Sequence, residues 1–242
     1  MRIASLEAGI TEVLFTLGVG SFVVCVDQGS DFPVEVESVP HVEKNDVEGI
    51  LAHRPELVIG LPSSDDKVVA QLKSRGANVV TVDVQSLAEV AEMIRTLGIL
   101  VEREKQAASV VASLQKGFNE VKKKAAHLPK RLKIYIEKSP SPPTAADRWV
   151  PEIVRLAGGV HCDLPDAAHF HSFDPDLIIL AWRGRGGNID RTELMHRPGW
   201  GNLRAAVEGH MRTLDDAFIL RPGSRLPEGA RRLYGWLFEI TH

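Results

Sequence analysis

Hydrophobic residues along the chain fall into short unbroken runs separated by stretches of helical period. In the first hundred residues Arg2 to Leu6, Phe22 to Val26 (FVVCV), Leu57 to Leu61 (LVIGL) and Asn78 to Asp83 (NVVTVD) read as strands. Between them lie helix patterns. EAGITEVLFTLGVG places Ile10, Val13, Leu14 and Leu17 on one face, with Glu12 in the first turn and Gly18 at the C-terminal cap. Asp46 to His53 and Lys67 to Ser74 read as short helices, and Ser86 to Leu97 as a helix with Glu89 at capping-box spacing. Continuous apolar strands alternating with helices predict a parallel sheet. Ligands of such sheets sit beyond the carboxyl ends of the strands, so the loops at Glu7–Gly9, Asp27–Phe32 and Leu61–Asp66 are expected along one edge.

The pattern then changes. From Glu102 to Ala126 no proline intervenes, and Ala107, Val110, Val111, Leu114, Phe118, Val121 and Ala125 recur at steps of three and four. Acids stand near the start and Lys122, Lys123 and Lys124 near the end, matching the helix dipole. About 25 residues at ~1.5 Å each give a rod on the order of 37 Å. A stiff strut between two lobes is the natural expectation, with residues 1–100 as the first α/β lobe, 101–128 as the connecting helix and 129–242 as the second lobe.

The β/α pattern resumes after the rod. Leu132 to Glu137 (LKIYIE) and the LIILAW run ending at Trp182 read as strands, and SPSPPTAADR as a rigid polar loop. WVPEIVRLAGG is a short helix with Pro151 in its first turn and Gly158 and Gly159 ending it. RGRGGNID is a loop, Thr192 to His196 starts a helix, and EGHMRTLD turns into an edge strand. The chain closes on an amphipathic helix carrying Leu233, Trp236, Leu237 and Ile240. HRPELVIGL and FDPDLIILAW echo each other as Pro–acid–Leu turns feeding buried strands, which fits two lobes of similar build.

Composition narrows the function classes. The chain has 242 residues, 44% hydrophobic and 25% charged, with a net charge of −3. There is no basic excess to suggest nucleic acid and no apolar run near the ~18 residues of a membrane span. Cys25 and Cys162 follow no metal spacing and read as free, buried thiols, with a disulfide between them as the alternative. The glycine run GRGGN lacks the Lys-Ser/Thr of a phosphate loop, and no Ser-His-Asp or Cys-His order stands out, so no catalytic residue is assigned and no enzyme activity is expected.

Four stretches carry a family resemblance. RIASLEAGITEVLFTLGVGSFVVCVDQGSDFP, NDVEGILAHRPELVIG, DRWVPEIVRLAGG and RPGWGNLRAAVEGHMRTLDDAFILRPGSRLPEG resemble, in order, the substrate-binding proteins of ABC importers whose two lobes are joined by one long helix. The cobalamin-binding branch, with its Trp-Val-Pro-Glu helix, is the most similar. The chain departs from the family at Glu7-Ala8-Gly9 in the first loop, at Gln28-Gly29-Ser30 where a tyrosine is common, and at Leu61-Pro62 where some relatives carry an aromatic. The resemblance implies two Rossmann-like α/β lobes with a ligand cleft between them, and capture of a corrinoid for delivery to an ABC permease with its ATPase. Heme or a ferric siderophore on the same fold is one alternative; a cytoplasmic enzyme or sensor acting on a corrinoid or tetrapyrrole is another. No resident cofactor is implied, since the cobalamin, tetrapyrrole or siderophore complex is the cargo. The protein is expected to act as a monomer that does not span the membrane. It would be extracytoplasmic, in the periplasm or at the outer membrane face, if a leader precedes Met1 naturally, and cytoplasmic if Met1 is the native start.

A flat apolar ligand calls for aromatic walls and a few polar groups. Phe32, Trp149, Phe170, Trp182 and Phe218 are the aromatic candidates, with Arg183 and Arg221 as charged partners in the same loops. Trp200 and Trp236 read as structural. His161, His169 and His171 cluster near Cys162, Asp163 and Asp166, but the first lobe offers only His41 and His53 outside its edge loops. The FHSF stretch therefore reads as a solvated loop rather than a metal or axial-ligand site. Family members present one carboxylate per lobe to permease arginines. Asp65 and Asp66 in the first lobe and Asp190 or Glu193 in the second match that role, with helix capping as the competing explanation. A single stiff linker permits only small closure. Small-angle scattering should therefore show little change in radius of gyration when ligand is added; a large compaction would remove the strut.

Overall fold

The fold was analysed in a computed structural model that describes residues 1–162 and 167–242, without the side chains of Asp66 and residues 167–169. The chain divides into two compact units, one of residues 1–112 and 222–224, the other of residues 113–221 and 225–242.

The first unit is a parallel α/β sheet. Its elements follow as β1 (Ile3–Ser5), α1 (Ala8–Thr16), β2 (Val23–Asp27), β3 (His41–Val42), α2 (Val47–Ala52), β4 (Leu57–Ile59), α3 (Asp66–Ser74), β5 (Val79–Val80) and α4 (Leu87–Leu100). The strands lie in the order β3-β2-β1-β4-β5, all parallel. All three residues of β1 and of β4 are buried, as expected for strands covered on both faces. The core joins Ala4, Leu6, Cys25, Val58 and Leu61 to Ile50 and Leu72. Cys25 is free, and burial pushes its thiol up to about 11 against the opposing charge of Arg2. The N-cap of α1 is Glu7, so Glu12 lies in mid-helix and is buried, not in the first turn. Ser86 accepts from Glu89 N–H while the Glu89 carboxylate accepts from Gln85 N–H, closing the start of α4 as the capping-box spacing anticipates.

The rod is α5 (Glu104–Ala125), 22 residues or about 33 Å. It is continuous across the division between the units, which falls after Ala112. Ala107, Val111, Leu114, Phe118 and Val121 form its buried stripe.

The second unit continues with β6 (Lys133–Pro140), β7 (Pro143–Ala145), α6 (Val150–Leu156), β8 (Val160–His161), α7 (Ala167–Phe173), β9 (Leu177–Leu180), α8 (Thr192–Met195), α9 (Arg204–Val207), β10 (Met211–Thr213) and α10 (Leu226–Thr241). The strand order is β10-β9-β6-β7, with β8 also pairing β6 and only β7 antiparallel. Two sequence expectations change here. SPSPPTAADR is not wholly loop, because β6 runs on to Pro140 and folds back as β7, pairing Pro140 with Pro143. Prolines are tolerated because β7 is an edge strand and Pro140 lies past the residues that β9 pairs. FHSF is not a loop either: Phe170 to Phe173 lie in α7, whose buried Phe170 supplies the apolar anchor. Asp163 and Asp166 lie outside the described residues, as does the His169 side chain.

Gly229 marks a close approach on α10, where an added Cβ would overlap the backbone carbonyl of Phe218. Gly229→Ala should cost about 1–3 kcal/mol by overpacking, lowering the thermal midpoint by several degrees, whereas Gly235→Ala, with nothing nearby, should be neutral or stabilising. Differential scanning calorimetry of the two variants separates these outcomes.

Candidate functional site

In the first unit the strand order reverses between β1 and β4, the position where open parallel sheets hold ligands. The three loops singled out from the sequence follow β1, β2 and β4, so they share the carboxyl edge of one sheet. Gly60, at φ +105, lets the β4 loop pass close to Glu7, since a Cβ there would stand 2.9 Å from Glu7 N. Glu7 caps α1 by accepting from Ile10 N–H at 3.0 Å.

A buried chain of hydroxyls pins the second loop beneath this edge. Ser5 Oγ and Thr11 Oγ1 are 2.8 Å apart, Thr11 Oγ1 and Ser30 Oγ 2.9 Å, and Ser30 Oγ donates to Asp27 Oδ1 at 2.6 Å. Asp27 is itself buried and paired with Lys44 at 3.3 Å. Each of these three hydroxyls has a partner, which removes the penalty for burying it. The loop so held presents Phe32, 45% exposed, to solvent. The start of the same loop, at Gln28 and Gly29, borders an open cavity of about 470 Å³ also lined by Asp27, Lys44, Asn45 and Asp65. Asp65 stands at the N-cap of α3 but makes no capping hydrogen bond, so capping does not consume its carboxylate. Asp66 opens α3, and its side chain lies outside the described residues.

The second unit is organised differently. Glu137, fully buried near the end of β6, accepts from Arg197 Nη1 at 2.7 Å and Nη2 at 2.9 Å, from Trp182 Nε1 at 2.9 Å and from Tyr135 Oη at 2.8 Å. Burial, and then the neighbouring Glu137 charge, push the Tyr135 hydroxyl far above its ordinary range, so it stays protonated and donates. Arg197 also stacks over Trp200, and Tyr135, Phe170 and Trp200 pack with ring centroids 4.5 to 5.8 Å apart.

Several aromatic candidates therefore sit inside the unit. Trp182 and Phe170 share this cluster, 3% and 1% exposed. Trp149 is 2% exposed and donates its indole N–H to Ile219 O at 2.8 Å. Arg221 is buried against Asp216 at 3.2 Å, and Asp216 also accepts from Gly184 N–H, tying Arg221 to the loop after β9. Phe218 is half-buried, with the guanidinium groups of Arg225 and Arg232 5.3 and 4.2 Å from its ring. Arg183 and Arg185 are exposed on the loop that leaves the carboxyl end of β9. Among the docking candidates, exposed Asp190 accepts from Thr192 N–H, which holds its carboxyl below the usual range, while Glu193 is exposed in the first turn of α8. Trp200 is buried, as its structural reading anticipates, and Trp236 is half-buried.

Glu137, Arg197 and Lys44 are the residues sequence reasoning passed over. A carboxylate two residues from Tyr135 on an otherwise apolar strand was the available signal for the first, because strand period places both on one face.

Two α/β units, each with loops leaving the carboxyl ends of its parallel strands, and one helix running through both, are the architecture of a two-lobe binding protein. The model of the periplasmic binding protein family matches residues 3–218, and the chain belongs to that family. It is 28% identical over 258 residues to an uncharacterized ABC transporter substrate-binding lipoprotein, YvrC, of Bacillus subtilis, covering 99% of this chain and 81% of that one. It is 26% identical over 165 residues to a vitamin B12-binding protein of Vibrio cholerae, covering 66% and 60% of the two chains. Its fold superposes on the periplasmic heme-binding protein RhuT from Roseiflexus sp. RS-1 with a TM-score of 0.87 at 22% identity, covering 100% and 99% of the two chains.

Glu137→Gln should destabilise the second unit by about 3 kcal/mol, because it leaves the Arg197 charge half-satisfied in a dry site. The double variant Glu137→Gln, Arg197→Met should recover part of that loss. Urea unfolding followed by tryptophan fluorescence measures both, and a double variant no better than the single one would remove the charge-pair explanation.

Proposed function

We propose that the chain is the substrate-binding protein of an ABC importer, that its cargo is a corrinoid, and that it passes the cargo to a membrane permease driven by an ATPase. The observation that carries this reading is Phe32, an exposed aromatic ring on a loop that a buried hydrogen-bond chain pins at Ser30, at the carboxyl edge of a parallel sheet. A ring on a pinned loop suits a broad, flat ligand because less backbone entropy is lost on contact. The vitamin B12-binding relatives support the corrinoid, and the lipoprotein relative supports an extracytoplasmic place of work. Binding involves shape and a few polar contacts and no bond-making. Phe32, Arg183 and Phe218 are the ligand-facing candidates of their respective units. Trp149, Phe170, Trp182 and Arg221 act behind them by fixing the loops. Asp65 and Glu193 are the carboxylates best placed to meet permease arginines, since among the described residues neither makes a capping hydrogen bond.

Heme, or a ferric siderophore, is the second reading. The exposed pair Arg183 and Arg185 favours it, because guanidinium groups match the carboxylates that heme carries and a corrin's amides do not.

Calorimetric titration with cyanocobalamin, hemin and a ferric siderophore decides between them. One-to-one cobalamin binding that weakens about tenfold in Phe32→Ala, with the thermal midpoint unchanged, is the expected result. Hemin binding without cobalamin binding, weakened by Arg183→Ala, would transfer the conclusion to the second reading.

A further inference from the structure

The far end of α5 carries a charge pattern that ligand capture does not use. Residues 122–131 read KKKAAHLPKR, with Lys122, Lys123, Lys124, Lys130 and Arg131 and no acid, in a chain whose net charge is −3. Complementing the helix dipole accounts for the three lysines of the last turn at most. Lys130 and Arg131 come after the helix has ended, and Arg155 arrives from the end of α6. The fold gathers Lys122, Lys130, Arg131 and Arg155 around one groove of about 260 Å³ in the second unit. Leu128 and Leu156 supply apolar lining. The close approach depends on Gly158 at φ +95, where an added Cβ would stand 2.7 Å from Leu128 Cδ1.

Among the described residues no carboxylate is ion-paired with any of these four cations. Lys138, Arg197 and Arg204 of the same unit each have an acidic partner. Exposed like charges held around one groove repel one another, and an anion relieves that repulsion. The chemistry of the lining selects the kind of anion. Both α5 and α6 end at the groove, so it lacks the backbone N–H donors of a helix start that a compact phosphate site uses. Long, exposed cations around an apolar floor suit instead a diffuse layer of phosphate groups with hydrocarbon beside them.

We propose that this groove docks the chain on the anionic phospholipid headgroups of a membrane surface. Lipid phosphates sit among Lys122, Lys130, Arg131 and Arg155, and the glycerol region lies against Leu128 and Leu156. Each cation near an anionic surface contributes about a fivefold factor in partitioning, so the cluster holds a protein near a membrane without inserting it. The proposal stands independently of which ligand the chain carries.

Flotation of the purified full chain with lipid vesicles tests it. At about 0.1 M salt the chain should float with vesicles containing phosphatidylglycerol and stay behind with pure phosphatidylcholine, and about 0.5 M salt should release it. Lys130→Glu with Arg131→Glu should lower partitioning at least tenfold, as should adding Arg155→Glu. The charge-matched control Lys73→Glu with Lys105→Glu should lower it far less. Calorimetry with inorganic phosphate covers the rival occupant. Equal partitioning to both lipids, equal loss in the control, or tight phosphate binding without flotation would each overturn the proposal.

Discussion

One buried carboxylate carries the second unit. Glu137 lies where water does not reach, and an unpaired charge there would cost several kcal/mol. The cost is offset by four hydrogen bonds from three side chains brought in from separate elements. Tyr135 comes from the same strand, Trp182 from just past β9, and Arg197 from the turn after α8. Arg197 extends the constraint, since it also donates to Pro140 O, at the fold-back into β7, and covers the Trp200 ring. Loops that would otherwise be independent therefore share one anchor. No member can move without leaving a buried polar group unsatisfied, and this cooperativity is the reason such a network specifies one arrangement.

The first unit meets the same need with less charge. Its first two edge loops are joined through the hydroxyls of Ser5, Thr11 and Ser30, each able to donate and accept, and the network ends on a charge where Asp27 meets Lys44. Hydroxyls are small enough to pass beneath loops that approach as closely as Gly60 and Glu7 do. The two units thus arrive at a rigid carboxyl edge by different means. In both, the frame that holds the loops is distinct from the side chains the loops expose.

That division explains what was legible in the sequence. Most of FVVCV and LIILAW forms strands, Val23–Asp27 and Leu177–Leu180, because continuous apolar runs have few other solutions, and the parallel pairings follow from their alternation with helices. The rod was legible because Ala107, Val111, Leu114, Phe118 and Val121 repeat without a break. The misjudged stretches obey weaker rules. SPSPP looks like a loop to any propensity argument, yet an edge strand can hold prolines whose missing N–H would face no partner. The aromatic candidates were harder still. Trp149 and Trp182 stand at the loop positions expected of a ligand wall, and no pattern in the sequence reveals that Ile219 O and Glu137 take their indole N–H groups. A tryptophan with a distant polar partner and one awaiting a ligand read alike until the partner is in view.

Ligand identity is least legible for a related reason. Packing constrains the frame, so hydrophobic period and capping signals record it, and the fold is shared with a solved structure at 22% identity. Phe32, Arg183 and Arg185 are exposed, so the core does not dictate their side chains. The same frame can present a ring to a corrin or a guanidinium to a carboxylate by exchanging a few surface side chains at little cost in stability. On the proposed reading, specificity is carried by residues the core does not need. Their chemistry has to be read one contact at a time, by what each can reach and what each leaves unpaired.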